Sequence, residues 1–158
     1  MIGCDYFPNK TYCAVLSSRY NHILLALAAV EGWFIYQADI VQAFLHGQLD
    51  YVDIYINPPA CYQCPIGWVL KLLWAIYGLH QAPVKFKQEV IVWFKATGYT
   101  PANEAQTIWI KQDRIWIVIH AIYADDFLHF TNYKAMYQGF QKQFKKLFEV
   151  KAGSVGVY

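Results

Sequence analysis

Charge is scarce in this chain of 158 residues: Lys, Arg, Asp and Glu make up 15% of it and the net charge is +2. With 57% hydrophobic residues beside so little charge, intrinsic disorder is excluded and a substantial core is expected, in one domain covering 1–158. The weak positive balance neither demands nor excludes a polyanionic partner, so an argument for nucleic acid must rest on a site. Long apolar runs are also missing. The longest early one, Ile23 to Val30, is far short of the roughly 20 residues a membrane-spanning helix needs, so no membrane partner is expected. Met1-Ile2-Gly3-Cys4-Asp5 has neither a basic leader nor an apolar signal core, which predicts an intracellular protein, cytoplasmic or nuclear, with reduced thiols. Cysteines number four. Cys61-Tyr-Gln-Cys64 has the spacing of a zinc half-site or a redox pair, but Cys4 and Cys13 stand too far apart to complete it, and no metal is expected there. Internal repeats and low-complexity tracts are absent.

Aromatic residues, at 18%, are plentiful and supply core volume. The stretch Ile115 to Thr131, IWIVIHAIYADDFLHFT, is apolar on both alternating faces until it meets two adjacent carboxylates. It reads as a doubly buried strand, a turn at Asp125-Asp126 and a returning strand. Asp favours turns, which makes a solvated turn the plain reading. Paired aspartates at the tip of a buried hairpin nevertheless repel and resist desolvation, and a hard divalent cation with oxygen ligands is their natural compensator.

Upstream, Ser17 or Ser18 offers an N-cap, Ile23, Leu24, Leu27 and Val30 recur at helical spacing, and Gly32 suits the C′ position; this stripe is expected to face a sheet. Trp33 to Ile40 is β-prone and delivers Asp39 at its end, a position more often a cap or turn residue than a ligand. Short strands are expected at Val52–Ile56 and Trp68–Leu73, on either side of a loop that contains the cysteine pair. Pro83 opens a helix to Thr97, with Phe86, Val90, Ile91, Trp93 and Phe94 inward and Gly98 beyond it. Thr107–Ile110 forms a hairpin with the aspartate strand through Lys111–Arg114. The last helix, Tyr133 to Phe148, buries Met136, Tyr137, Phe140, Phe144, Leu147 and Phe148, and leaves Lys134, Lys142, Lys145 and Lys146 on a solvated face.

Several phrases, taken in order, resemble the reverse transcriptases of Ty1/copia-type retrotransposons. They are Ala38-Asp39-Ile40-Val41-Gln42-Ala43-Phe44-Leu45-His46-Gly47, Ile54-Tyr55, Ala75-Ile76-Tyr77-Gly78-Leu79-His80-Gln81-Ala82-Pro83, Tyr123-Ala124-Asp125-Asp126 and Phe148-Glu149-Val150-Lys151. The likeness implies an α+β fold of the polymerase palm type, an antiparallel sheet with helices on one face, comprising partial fingers and palm with the thumb missing. It implies an RNA-directed DNA polymerase acting on an RNA or DNA template with primer and on dNTP, as part of a retrotransposon polyprotein. Two Mg²⁺ ions, or Mn²⁺, would be held by Asp39, Asp125 and Asp126. By the same resemblance Phe44 would lie under the incoming sugar and exclude a 2′-hydroxyl, and Ala43 would border the triphosphate through its backbone. Tyr123 and Ala124 would adjoin the primer end, and Tyr77, Gly78 and Gln81 would shape the floor beneath the templating pair.

Departures from the family pattern set an alternative beside this reading. His22 and Val84 stand where the family has Arg, so two phosphate-contacting cations are missing; Phe86 replaces a common Trp and Ala14 a usual proline. The chain stops at Tyr158, before the family's primer-gripping turn. The alternative is a decayed, non-catalytic remnant that folds and at most binds nucleic acid. A nuclease or glycosyl transferase using Asp-Asp has no motif of its own here.

Overall fold

The computed structural model describes residues 13–46, 49, 53–79 and 82–157. Helix α1, Ser18–Glu31, begins and ends where the spacing predicts: the carbonyl of Ser17 accepts the Asn21 N–H at 3.1 Å, and Gly32 adopts a left-handed φ of 65°. The Ser17 hydroxyl makes no capping bond. Of the expected apolar stripe only Leu24 is buried, together with Ala28, whereas Ile23, Leu27 and Val30 are exposed. Because α1 is apolar nearly all round, periodicity could not select its buried face; α1 packs along the Leu24–Ala28 line, where a small residue lets helix and sheet approach.

Strand β1 (Phe34–Ile40) follows, then a 3-10 turn at Ala43–His46, a two-stranded ladder of β2 (Tyr55–Ile56) with β3 (Leu70–Lys71), and helix α2 (Ala82–Ala96). The rest is β4 (Thr100–Pro101), β5 (Ile108–Gln112), β6 (Ile117–Tyr123), β7 (Asp126–Thr131), α3 (Lys134–Phe144) and β8 (Val150–Val157). Among the described residues, six strands make one sheet in the order β4-β5-β6-β7-β1-β8, with every neighbouring pair antiparallel. Strand β6 is buried on both faces from Val118 to Ile122, as expected.

Alternation divides the core in two. Ala38, Ile40, Trp109, Val118, Ile122 and Phe127 face α2 and α3 and pack with Phe86, Val90, Phe94, Tyr137, Phe140 and Phe144. Ile35, Ile108, Ile119, Ala121 and Phe130 face the other way and pack with Leu16, Leu24 and Ala28. Helices on one face only is therefore corrected: α1 covers the second face, which is too apolar near the Phe34 end of β1 to meet water.

Smaller corrections follow from local chemistry. Helix α2 starts at Ala82, one residue before Pro83, and ends before Gly98, whose φ is 82°. Helix α3 stops at Phe144, so Phe148 is buried from a turn and Leu147 is exposed. The strands expected at Val52–Ile56 and Trp68–Leu73 shrink to two residues each, and Val52 lies outside the described residues. Strand β8 was not expected, since Gly153 and Gly156 weaken its strand pattern; it is held by pairing with β1.

The helix-side core is largely aromatic. Phe94 is fully buried, stacked on Trp109 with centroids 5.2 Å apart and planes 10° from parallel. Phe94→Ala is expected to lower the unfolding free energy by about 3–5 kcal/mol, and Leu147→Ala, on an exposed side chain, by less than about 0.5 kcal/mol. Urea denaturation followed by tryptophan fluorescence checks the contrast; equal losses would contradict this packing.

Candidate active site

Strand β1 runs between β7 and β8, and its register fixes the site. Asp39 pairs with Asp126 of β7, Ala38 with Phe127 and Ile40 with Val150 of β8. Since Ala38 and Ile40 point into the helix-side core, Asp39 points to the opposite face. The same parity places Asp126 and its β6 partner Tyr123 on that face. Directly opposed residues of an antiparallel pair have Cα atoms about 4.5–5.5 Å apart. The sheet thus brings Asp39 and Asp126 side by side across 86 intervening residues of sequence.

The turn itself is Ala124–Asp125, and Asp126 is already the first residue of β7, a shift of one from the turn expected at Asp125-Asp126. The Asp125 carbonyl accepts the Ile40 N–H at 3.2 Å, which ties the turn to the end of β1. Gln37 shares the face of Asp39 and donates from Nε2 to Asp126 Oδ1 at 3.5 Å. Lys151 of β8 is the cross-strand partner of Asp39, so a cation stands on the carboxylate face. All three aspartates are half-buried. Their side chains do not close into a cage as they stand: among the described residues, no three His, Cys, Asp or Glu groups are gathered closely enough to hold a metal ion. The donor set is nevertheless all carboxylate oxygen, which suits a hard divalent cation.

Two non-glycine residues with left-handed backbone flank these aspartates. Ala124, at φ 55°, precedes Asp125, and Gln42, at φ 54°, follows the end of β1. Such strain persists where surrounding structure over-determines it, and it recurs at functional sites.

Around the same hairpin lies a cavity of ≈350 Å³ whose walls include Phe44, Ala124, Ile122, Pro83, Phe86, Val90 and the segment Cys13–Val15. The Phe44 ring meets Tyr77 edge-on at 5.1 Å and Phe86 at 6.1 Å. Lys87 pins the lead-in segment by donating to the carbonyls of Ala14 at 3.1 Å and Ala105 at 2.7 Å. Burial pushes its pKa down, offset in part by Cys13, whose thiol burial pushes up. Ala43 is fully buried in the core beneath the end of β1. Tyr77 and Tyr123 are exposed, and Gly78 takes a φ of 96°. Gln81 lies outside the described residues.

The structure therefore collects Asp39, Asp126 and Tyr123 on one face, Asp125 at its edge, and Phe44 with Ala124 around one cavity, with Tyr77 against the Phe44 ring. Gln37, Lys151 and the Cys13–Val15 wall were given no place in the site from sequence. Gln37 carried a signal, since a polar residue two before Asp39 in a strand shares its face. Cys61 and Cys64 are free thiols in the loop between β2 and β3.

The family described as reverse transcriptase (RNA-dependent DNA polymerase) matches residues 1–157, and the chain belongs to it. Among curated proteins, the retrovirus-related Pol polyprotein from transposon RE1 of Arabidopsis thaliana is 31% identical over 128 residues, 80% of this chain and 8% of that protein. The corresponding polyprotein from transposon RE2 of the same plant is 30% identical over 80% of the chain and 9% of its own length. That from transposon TNT 1-94 of Nicotiana tabacum is 28% identical over 94% of the chain and 11% of its own length. The copia-type resemblance of the motifs is thus borne out, and the chain spans about a tenth of the relatives it matches. No solved structure matches it significantly. No helix among the described residues is long and apolar enough to cross a membrane.

Left-handed backbone costs a residue with a Cβ about 1–2 kcal/mol, part of which glycine returns through its freer unfolded chain. Ala124→Gly is accordingly expected to stabilise the fold by about 1 kcal/mol in urea denaturation. A destabilised variant would show that the methyl group packs in the cavity wall more than it strains the turn.

Proposed function

We propose that this chain forms the metal-binding and nucleotide-seating part of an RNA-directed DNA polymerase, a palm in which Asp39, Asp125 and Asp126 hold two divalent cations. The observation that carries the reading is the register of β1 against β7, which opposes Asp39 to Asp126 while the Ile40 N–H binds the turn that contains Asp125. Closing the three carboxylates on a pair of ions needs side-chain rotation, because the strands already set their backbones together. When bound, such a pair activates a primer hydroxyl and neutralises charge on a triphosphate.

The remaining roles belong to the chain's own groups. Phe44, braced edge-on by Tyr77 and Phe86, lines the cavity together with Ala124, where its ring would support the sugar of a dNTP and leave no room for a 2′-hydroxyl. The main chain at Ala43 would approach the triphosphate. Tyr123 shares the carboxylate face and would meet the primer end, and Tyr77, Gly78 and Gln81 would form the floor under the template base. Template, primer and the rest of a Pol polyprotein are the partners this reading requires.

Linkage makes the metal assignment testable without turnover, since an ion that binds only the folded state stabilises it. Millimolar Mn²⁺ or Mg²⁺ is expected to raise the unfolding midpoint of the wild-type chain by a few degrees and to leave that of Asp39→Asn or Asp125→Asn unchanged, as read by thermal melts with Ca²⁺-free and chelated controls. An equal response in wild type and both variants would remove these aspartates from the metal site.

A further inference from the structure

Behind the aspartate turn, on the helix side of the same hairpin, two histidines face each other. His120 of β6 and His129 of β7 are register partners, both fully buried, with Nδ1 against Nδ1. We infer that this pair is an acid-sensitive latch, which holds the β6–β7 hairpin closed while both imidazoles are uncharged and releases it when they take up protons.

The geometry leaves room for a single proton between the rings. One imidazole must carry it on Nδ1 and donate, and the other must accept through an unprotonated Nδ1 and carry its own proton on Nε2. Among the described residues, neither Nε2 has a hydrogen-bond partner. A first added proton enters at the free Nε2 of the donor ring and leaves the contact intact, but buries an uncompensated charge. A second can enter only at the accepting Nδ1, which abolishes the acceptor and sets N–H against N–H between two cations.

Among the described residues, nothing packed against the pair compensates such charge. From α2 and the residues after it come Phe94 and Tyr99, and from α3 come Tyr137 and Phe140, with Phe140 4.3 and 4.6 Å from the two rings. Strand β5 supplies Trp109 opposite His120, and β1 supplies Tyr36 opposite His129. The ionisable groups facing the pair are the phenols of Tyr36, Tyr99 and Tyr137, all pushed up by burial, Tyr99 to about 12, and neutral throughout the acid range. The ammonium of Lys111 lies beyond Tyr99, 5.4 Å from its ring centroid. The described residues give neither imidazole a carboxylate partner.

The sign of the pH dependence follows. Burial holds His129 down at about 3, and burial, then the charge of His129, holds His120 well below its ordinary value. In the unfolded chain both titrate near 6.5. The unfolded state therefore binds more protons, and the contribution to stability is fully present above about pH 6.5 and is lost as pH falls below it. Because the strands that carry the pair end in the turn of Asp125, acid acts on the hairpin that presents the proposed site.

The test compares folding equilibria at pH 7.0 and 5.5 by urea titration. The wild-type ratio of folded to unfolded protein is expected to fall by roughly 50–100-fold, His129→Leu by about tenfold, and the exposed control His22→Asn as much as wild type. A wild-type ratio that changes less than about threefold overturns the proposal. If His129→Leu does not fold, the imidazole carbon-bound proton resonances of the native wild-type chain decide. They should stay at their neutral positions down to the onset of unfolding, whereas titration of either ring near pH 6.5 in the folded protein would refute the latch.

Discussion

The pairing of β1 with β7 sets Asp39 opposite Asp126 and, in the same stroke, turns Ala38 and Ile40 into the aromatic core. Side chains alternate with a period of two, so a slip of one residue would drive Asp39 under α2 and α3 and expose the apolar residues on either side of it. Core packing and site geometry are thus one constraint. The second neighbour, β8, fixes the other edge of β1 and delivers Lys151 beside Asp39. The register thus gathers one ammonium and two half-buried carboxylates on one face, where opposite charges directly across a ladder attract and like charges repel.

Stability is distributed unevenly over this arrangement. The helix-side face is filled by rings that stack or meet edge-on, from Trp109 and Phe94 through Phe140 to Phe144 and Phe148. Against that background the hairpin carries three unfavourable features: an alanine in left-handed conformation, adjacent aspartates, and a buried pair of imidazoles with unpartnered Nε2 atoms. They are concentrated in β6, its turn and β7, and the aromatic layer beneath supplies the offset.

How much of this was legible in the sequence depends on the kind of signal involved. Asp39 at a strand end and Asp125 at a hairpin could be read locally, and the ordered phrases around them pointed to the family that the comparisons then showed. Periodicity found α2 correctly because Phe86, Val90 and Phe94 recur every four residues on one line and Lys85, Lys87, Gln88, Glu89 and Lys95 fall off it. The same criterion failed for α1, where Ile23, Leu27 and Val30 offered a stripe as good as the true one through Leu24 and Ala28. Strand β8 was hidden because its glycines suppress any alternation and only pairing with β1 makes it a strand. The histidine pair had no local signal either: each lies in an apolar strand, and the contact exists only once Ile119 and Phe130, their neighbours, are in register. The cavity beside Phe44 is likewise tertiary, since Cys13–Val15 and Ala124 meet only through the fold.

In the proposed palm, carboxylates from two separate elements hold two metal ions together. Mn²⁺ reports this directly, because two ions bound roughly 3.5–4 Å apart are magnetically coupled. Electron paramagnetic resonance of the chain titrated with Mn²⁺ in the presence of a dNTP is predicted to show a coupled pair in the wild type, reduced to at most one uncoupled ion in Asp39→Asn. A single isolated ion in the wild type, or a coupled pair that survives Asp39→Asn, would contradict it.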